Sequence, residues 1–347
     1  MQSLLHVLNQ DYSSKNRSGI SFRVSFANKQ ATGKSANSLI GLLTCWLRLS
    51  WDEALFVSVG GTLSHETGKL IIIPTPLGNL GDVTTRTLQA FELCDTMCCE
   101  DTRVTGKLLA ALGIEKRLER LDEATVSRRA GEIIRRVLNG EVIGFASDAG
   151  MPGVSDPGQR LIDEARNQGA AVEVLPGGTA VATAYVASGF PTQTFYFGAF
   201  FPRKDGERKR VLEGLKQLDA ALIFYESPQR IVSALGCIAE AFPLRRVAVC
   251  RELTKVHEEV YRDFAPAVRD EFALRAETGS IKGEIVIVID APTDEECNAA
   301  HDEQANDAAV RARELIAEGV LSKKDIVKTL RAEFGISRNE AYELVIG

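Results

Sequence analysis

The chain has 347 residues and a mass of 37.8 kDa, with 45% hydrophobic and 25% charged residues, a composition that excludes a disordered or fibrous protein. Its formal net charge of -6 provides no overall basic field for non-specific nucleic-acid binding. The longest apolar run, residues 39–47, is too short to cross a bilayer, and the seven cysteines contain no CxxC pair. We therefore expect a cytoplasmic protein with no membrane segment and no metal site.

Residues 1–68 differ in pattern from the rest of the chain. They are rich in Ser and Asn before Gly41 and poor in acidic residues. This composition fits a transit peptide, a disordered tail or an early start codon. We predict an extension over 1–68 that lies outside the fold.

From Lys69 onward, short β-branched runs alternate with segments of helical period, which predicts an α/β fold. Helices are predicted at 83–93 and 105–112 and between most strands, and the strands at 70–73, 96–99, 142–146, 171–175, 194–201, 221–225, 247–251 and 284–289. A helix stops at Gly189-Phe190-Pro191 and an aromatic strand follows. The sequence thus predicts two α/β lobes, at 69–190 and 191–290.

The C-terminal region has its own pattern. Residues 291–307 are acidic and contain Pro and Asn, which predicts a linker. Beyond it, a small helical domain over 308–347 is predicted from three amphipathic segments, 308–318, 323–334 and 338–345.

Three loops rich in Gly and Pro, residues 74–82, 147–158 and 176–180, each follow a predicted strand and precede a helix. Glycine allows a backbone to approach a ligand closely, although none of these loops is a G-x-G-x-x-G motif or a P-loop. If the strands are parallel, the loops meet at one crevice, where open α/β sheets bind ligands. Asp156 by itself is also explained as a helix cap.

Charged motifs stand beside several strand ends. Glu100-Asp101-Thr102-Arg103 directly follows the strand at 96–99, where helix capping with a local ion pair is the alternative explanation. In the second lobe, the motifs at 225–230, 251–255 and 282–284 suggest a polar face opposite the first lobe. The histidines show no spacing typical of a hydrolase triad.

These ordered motifs resemble the ribosomal RNA small subunit methyltransferase I family. The resemblance runs from about Lys69 to Asp290, extends to the helical tail, and rests on 71–80, 100–103, 147–152, 156–158, 224–227, 251–255 and 282–284. It implies a tetrapyrrole methylase fold of two α/β lobes with S-adenosylmethionine in the cleft. It also implies 2'-O-methylation of a cytidine ribose in the decoding region of 16S rRNA.

The resemblance assigns roles to individual residues. The cofactor-binding residues it implies are Pro76, Leu77, Gly78, Asn79, Ser147, Asp148, Ala149, Gly150, Pro152, Ser155, Asp156, Thr179, Ala180, Phe224, Tyr225 and Glu226. Four residues are candidates for orienting or deprotonating the ribose: Glu100, Asp101, Arg103 and Lys255. We expect a homodimer that acts on 16S rRNA in the small ribosomal subunit.

A basic run at 203–210 packs five cations and two anions into eight residues. We predict RNA phosphate contacts for its cations, Arg203, Lys204, Arg208, Lys209 and Arg210. A solvated helix start is the alternative explanation, in which case the tail around Lys323, Lys324 and Arg331 would hold the RNA.

Two other functions stay open at this point. One is a methylase of the same fold acting on a tetrapyrrole or a protein side chain, against which the motifs at 100–103 and 251–255 argue. The other is a ribosome-assembly factor without catalysis, against which the intact Gly/Pro loops argue.

Overall fold

The structure is a computed structural model that describes residues 12–15, 21–24, 68–279 and 281–346. The chain divides into two compact units, Met1–Thr67 and Gly68–Gly347. In the first unit, β1 (Tyr12–Lys15) pairs antiparallel with β2 (Ser21–Val24). The rest of the predicted extension lies outside the described residues, and all further elements belong to the second unit.

Five parallel strands form the first sheet, in the spatial order β5-β4-β6-β3-β7, and their ranges are β3 (Lys69–Ile72), β4 (Thr96–Cys99), β5 (Arg117–Arg120), β6 (Val142–Ala146) and β7 (Val172–Val174). The central strands β4 and β6 are buried along their whole length, as expected for a sheet covered on both faces. The helices from this part of the chain are α1 (Thr85–Leu93), α2 (Thr102–Ala111), α3 (Glu123–Leu138), α4 (Gly158–Asn167) and α5 (Ala180–Ser188).

Helix α3 shows how the sequence builds this lobe. Asp122 closes a capping box with Thr125, whose backbone N–H donates to the Asp122 carboxylate at 3.0 Å. Val126, Ile133 and Val137 then follow at helical spacing and are buried against the sheet. Each such side chain contributes about 1.5–3 kcal/mol of transfer free energy when fully buried.

The second sheet is mixed, in the order β11-β10-β12-β9-β8, and its strands are β8 (Phe195–Phe200), β9 (Ala221–Glu226), β10 (Arg246–Arg251), β11 (Glu259–Phe264) and β12 (Ile285–Ile289). Strands β8 and β9 are parallel, and the other pairs are antiparallel. One face carries the second lobe's largest core, formed with helices α6 (Asp205–Leu215), α7 (Ile231–Ala241) and α8 (Ala265–Glu277).

Helix α5 covers the other face of the second sheet. Its Val181 and Ala184 share a core with Ile223 and Val288, whereas the predicted boundary at residue 190 assigned this helix to the first lobe. Helix α5 therefore packs with the second sheet although it precedes residue 190, because its apolar side chains are buried against that sheet. Gly189, with φ of 63°, then ends the helix.

The C-terminal piece contains α9 (Asp294–Glu318), α10 (Lys323–Phe334) and α11 (Arg338–Ile346). The prediction of a linker at 291–307 is wrong, because the acidic residues there form the first turns of α9, where the helix dipole favours negative charge. Glu296 completes the capping box with Thr293 and pairs with the buried Arg245 at 3.0 Å, which fastens this helix to the second lobe.

The predicted fold class is confirmed: two α/β sheets with their helices, followed by a small helical piece. Within the described ranges, no helix combines the length and the apolar character that a bilayer crossing requires. The parallel first sheet brings the loops after β3, β4, β6 and β7 to one edge, which faces the second lobe.

Candidate functional site

A cavity of about 420 Å³ lies between the lobes. The first lobe lines it with residues of the loops that follow parallel strands, namely Leu77, Glu100, Ser147, Asp148, Ala149, Gly150, Met151, Val154, Ser155 and Asp156, and the start of α5 adds Thr179 and Ala180. The second lobe contributes Phe200, Tyr225, Glu226, Ser227, Pro228, Gly283, Glu284, Ile285 and Val286. The predicted convergence of the three Gly/Pro loops is therefore confirmed.

Two of these loops are fastened to each other through backbone. The N–H of Thr75 donates to the carbonyl of Gly150 at 3.0 Å, and the N–H of Gly150 donates back at 3.1 Å. Gly150 has φ of 81°, and a Cβ there would lie 2.9 Å from Leu77 Cδ2 and 3.3 Å from the Gly178 carbonyl oxygen. Glycine is required at this position because all three loops meet around it.

Asp156 organises the second loop. Its Oδ1 accepts hydrogen bonds from the backbone N–H groups of Gly153, at 2.7 Å, and Gly158, at 2.8 Å. Neighbouring Ser155 has φ of 69°, which is an unfavourable conformation for a residue with a Cβ. The carboxylate of Asp156 thus holds a strained turn against the cavity, which supports the capping explanation while leaving the residue in the cavity wall.

Negative charge dominates the cavity wall. Among its described lining residues there are five carboxylates and no Lys, Arg or His. Glu226 and Glu284 pair with cations outside the lining, which leaves the carboxylates of Glu100, Asp148 and Asp156 without an ion pair among the described residues. Burial, followed by the charges of Asp148 and Asp156, raises the pKa of Glu100 above its ordinary 4.5. Burial also raises the pKa of Asp148. The cavity therefore suits a ligand with a positive charge.

The second-lobe wall is built on a buried ionic network around Glu226. This side chain is inaccessible to solvent, accepts a hydrogen bond from Arg230 Nε at 2.7 Å and pairs with Arg208 at 3.3 Å. Next to it, burial raises the pKa of the Tyr225 phenol to about 12, so the ring stays neutral. The network supports the strand end that presents Tyr225 to the cavity.

A lysine clasp connects the lobes beside the cavity. Lys255 Nζ donates to Glu252 at 2.9 Å and to Glu284 at 3.2 Å, while its methylene stem lies over Gly78, where a Cβ would be 2.3 Å from Lys255 Cγ. Burial acts to lower the pKa of Lys255, but its hydrogen bonds and ion pairs with both glutamates raise it. Lys255 is therefore a fixed cation.

Comparison with known proteins identifies the family. A family model described as Tetrapyrrole (Corrin/Porphyrin) Methylases matches residues 69–268. A "Ribosomal RNA small subunit methyltransferase I" of Bacillus subtilis (strain 168) is 34% identical over 281 residues, covering 80% of this chain and 94% of that protein. One of Pasteurella multocida (strain Pm70) is 35% identical, covering 81% of this chain and 98% of that protein. The chain belongs to the ribosomal RNA small subunit methyltransferase I family.

Solved structures support the fold of this methyltransferase family member. The crystal structure of the methyltransferase CobJ matches with a TM-score of 0.51 at 18% identity, covering 65% of this chain and 95% of that one. That of diphthine synthase matches with a TM-score of 0.50 at 14% identity, covering 64% of this chain and 89% of that one. Both likenesses concern the fold alone.

Some of the predicted cofactor-binding residues line the cavity of this methyltransferase family member, and others do not. Most of them line the cavity, but Pro76 faces a neighbouring cavity, Asn79 caps a single 3-10 turn, and Pro152 is buried behind its loop. Gly78 lies against the Lys255 stem. Phe224 is wrongly placed by the prediction, because alternation along β9 turns its ring into the core, while the neighbouring Tyr225 faces the cavity.

The residues predicted to act on the ribose also separate. Glu100 lines the cavity. Asp101 caps α2 and binds Arg103 through side-chain hydrogen bonds, the shortest at 2.5 Å, which lower the pKa of Asp101. Helix capping with a local ion pair therefore explains Asp101 and Arg103.

Among the predicted RNA contacts, the assignment of Arg208 is wrong. It is only 1% exposed, because its guanidinium binds Glu226, Asp205 and the Pro202 carbonyl inside the second lobe. The other four cations of the run are exposed. Local sequence carries no signal for this burial, since Glu226 lies 18 residues further on.

Sequence reasoning also missed part of the cavity wall, namely Val154, Phe200, Ser227, Pro228, Gly283, Glu284, Ile285 and Val286. The charged motifs at 225–230 and 282–284 were a usable signal for most of the second-lobe residues. For Phe200 the only signal was its place at the end of an aromatic strand.

Proposed function

We propose that this chain transfers the methyl group of S-adenosylmethionine to the 2'-hydroxyl of a cytidine ribose in the decoding region of 16S rRNA. The observation that carries the proposal is a cavity at the meeting point of three Gly/Pro loops, lined by carboxylates without a cation. The names of the relatives, which specify small-subunit ribosomal RNA, support the choice of substrate. The proposal includes a homodimer working in the cytoplasm.

The cavity residues fit this cofactor. The Oγ of Ser147 is buried and has no hydrogen-bond partner, so it is available to a polar group of a ligand. Tyr225 offers an aromatic surface, and the uncompensated carboxylates of Glu100 and Asp148 favour a cation. When bound, the cofactor supplies an electrophilic methyl group on a positively charged sulfur.

Proton removal falls to Glu100. A ribose hydroxyl is a weak acid, so the attack of its oxygen on a methyl carbon needs a base within hydrogen-bond reach. Glu100 lines the cavity, and its raised pKa makes it a better proton acceptor than an ordinary glutamate. Lys255 holds the lobes in place as a cation, and Asp101 with Arg103 positions the start of α2 next to Glu100.

Methyl transfer is tested on small ribosomal subunits from a strain that lacks this activity, with isotopically labelled S-adenosylmethionine. We expect labelled 2'-O-methylcytidine after digestion and mass spectrometry. Label on a base, or in no nucleoside of the subunit, would contradict the proposal. Sedimentation of the full chain tests the homodimer separately.

The role of Glu100 is tested by Glu100→Gln, which keeps the shape of the side chain. We expect kcat to fall by about 10²-fold or more, and the Kd for S-adenosylmethionine to rise by a smaller factor because the carboxylate of Asp148 remains. The matched control is Glu115→Gln, an exposed glutamate outside the cavity, which leaves kcat unchanged. A Glu100→Gln enzyme with parental kcat would assign the proton to another acceptor.

A further inference from the structure

Strand β8 breaks its pairing next to the cavity. Phe197 pairs with Ile223 and Phe200 pairs with Tyr225, so β8 contains one residue more than β9 over this step. The extra residue makes a β-bulge, a feature that redirects side chains beside active sites.

The bulge is built from Gly198 and Ala199. A Cβ at Gly198 would lie 2.2 Å from Phe224 Cε1, so only glycine allows the close approach of the strands. Ala199 has φ of 56°, a left-handed conformation that costs a residue with a Cβ free energy. A strained backbone is therefore maintained here by the surrounding packing.

Two adjacent aromatic rings directly after the bulge lie in different environments. Phe201 is 1% exposed and packs on Phe224 in the core, whereas Phe200 is 60% exposed and lies at the rim of the cavity. The Phe200 and Tyr225 rings form an edge-to-face pair with centroids 5.5 Å apart, and this contact leaves Phe200 60% exposed. A large apolar ring is thus held open to solvent at the entrance to the candidate active site.

Cations follow this ring directly. Arg203 and Arg210 are exposed and have no ion pair among the described residues, while Lys204 and Lys209 are paired with Glu207 and Glu240. The remaining acid of the run, Asp205, is bonded to Arg208 and Ser233. The free positive charge of this segment therefore lies with the two arginines.

We infer that Phe200 is a stacking platform for an unpaired base of the RNA substrate, with Arg203 on an adjacent phosphate. This inference rests on the proposed function. Single-stranded RNA is recognised by aromatic rings that stack on splayed bases and by cations that track the backbone. A base held on Phe200 places its strand at the cavity entrance, so the platform selects unpaired target RNA and positions the neighbouring ribose.

The test uses the full chain with Phe200→Leu, which keeps an apolar side chain but removes the ring, and Phe200→Trp, which keeps a stacking surface. Phe264→Leu is the matched control, an exposed ring outside the cavity wall. The readouts are KM for unmethylated small subunits, Kd for S-adenosylmethionine, and fluorescence quenching of a cytidine-containing RNA oligonucleotide carrying 2-aminopurine beside the cytidine.

For Phe200→Leu we expect KM to rise about 10-fold, as for the loss of one base stack, with quenching reduced and the cofactor Kd unchanged. Phe200→Trp restores both RNA readouts, and Arg203→Gln lowers the salt dependence of RNA binding by about one phosphate contact. If Phe200→Leu has the parental KM and the parental quenching, the platform is overturned. It is also overturned if the Kd for S-adenosylmethionine rises as much as KM does, because the ring would then bind the cofactor. Failure of the parental chain to methylate subunits would instead overturn the proposed function.

Discussion

The two lobes build their halves of the cavity by different means. In the first lobe, parallel strands deliver every loop to the same edge, so backbone turns and short polar side chains form the wall. In the second lobe, antiparallel strands bring both strand ends and strand starts to the cavity, and the wall includes two aromatic rings, Phe200 and Tyr225, and the buried charge of Glu226. Substitutions should therefore act through backbone geometry in one lobe and through charge pairing in the other.

The largest effect is expected where the second lobe depends on buried charge. Arg208→Ala removes a partner of the inaccessible Glu226 carboxylate, and we expect the free energy of unfolding to fall by about 3 kcal/mol. Chemical denaturation measures the loss, and the exposed Arg210→Ala is the control, with a change within about 0.5 kcal/mol. Equal stabilities would show that the wall does not depend on this network.

Next in size is the backbone of the first lobe. Gly150→Ala places a Cβ at a φ of 81° and between Leu77 and Gly178, so we expect the Kd for S-adenosylmethionine to rise about 10-fold, from strain of about 1–3 kcal/mol. Isothermal titration calorimetry measures the Kd. The control is Gly131→Ala within α3, where the Cβ has ordinary contacts and stabilises the helix by about 0.5–1 kcal/mol. Parental affinity in Gly150→Ala would mean that the bridged loops do not hold the cofactor.

A smaller, pH-dependent effect is expected from the carboxylates of the first lobe. The pKa of Glu100 is raised in the folded state, so the fold binds this proton more tightly than the unfolded chain does. That contribution to stability is present below the ordinary pKa of 4.5 and is lost as the pH rises through the raised value. Glu100→Gln cannot ionise, and we expect its Tm to exceed that of the parent at pH 7 and to do so by less at pH 4. A Tm difference that stays constant between pH 4 and 8 would contradict this.

The smallest effect is expected outside both lobes. A chain that begins at Gly68 retains every described residue of the second compact unit, and the family match begins at residue 69. We expect its Tm and its Kd for S-adenosylmethionine to match those of the full chain. Loss of cofactor affinity in the shortened chain would show that residues 1–67 support the cavity.

The sequence predicted the interior of the sheets better than their edges. Strands β4 and β6 were predicted with the bounds that the structure shows, because apolar runs define fully buried strands. Strands β5 and β11 were missed, since both lie at sheet edges and carry several charged residues. Charge on an edge strand discourages unwanted pairing but removes the pattern that reveals a strand.

The candidate site was predictable where backbone forms it. The loops around Gly150 could be predicted from their Gly and Pro residues, because turns with special backbone angles require these residue types. An ion pair between residues far apart in the chain has no recognisable local sequence pattern. Arg208 was therefore assigned to RNA although it is bound to Glu226. The alternation along β9 was available as a signal and would have separated Phe224 from Tyr225.

The contact between Arg245 and Glu296 attaches the C-terminal helices to the second lobe at one end of α9. Helix α9 is fastened at its first turn, and the small core that it shares with α10 and α11 includes Ala312 and Leu315. At 1.5 Å per residue, Ala312 lies about 24 Å along the helix from Glu296. A rotation of about 10° at the fastened end would move that core by roughly 4 Å. The contact between Arg245 and Glu296 therefore helps to set where the three-helix core lies relative to the second lobe.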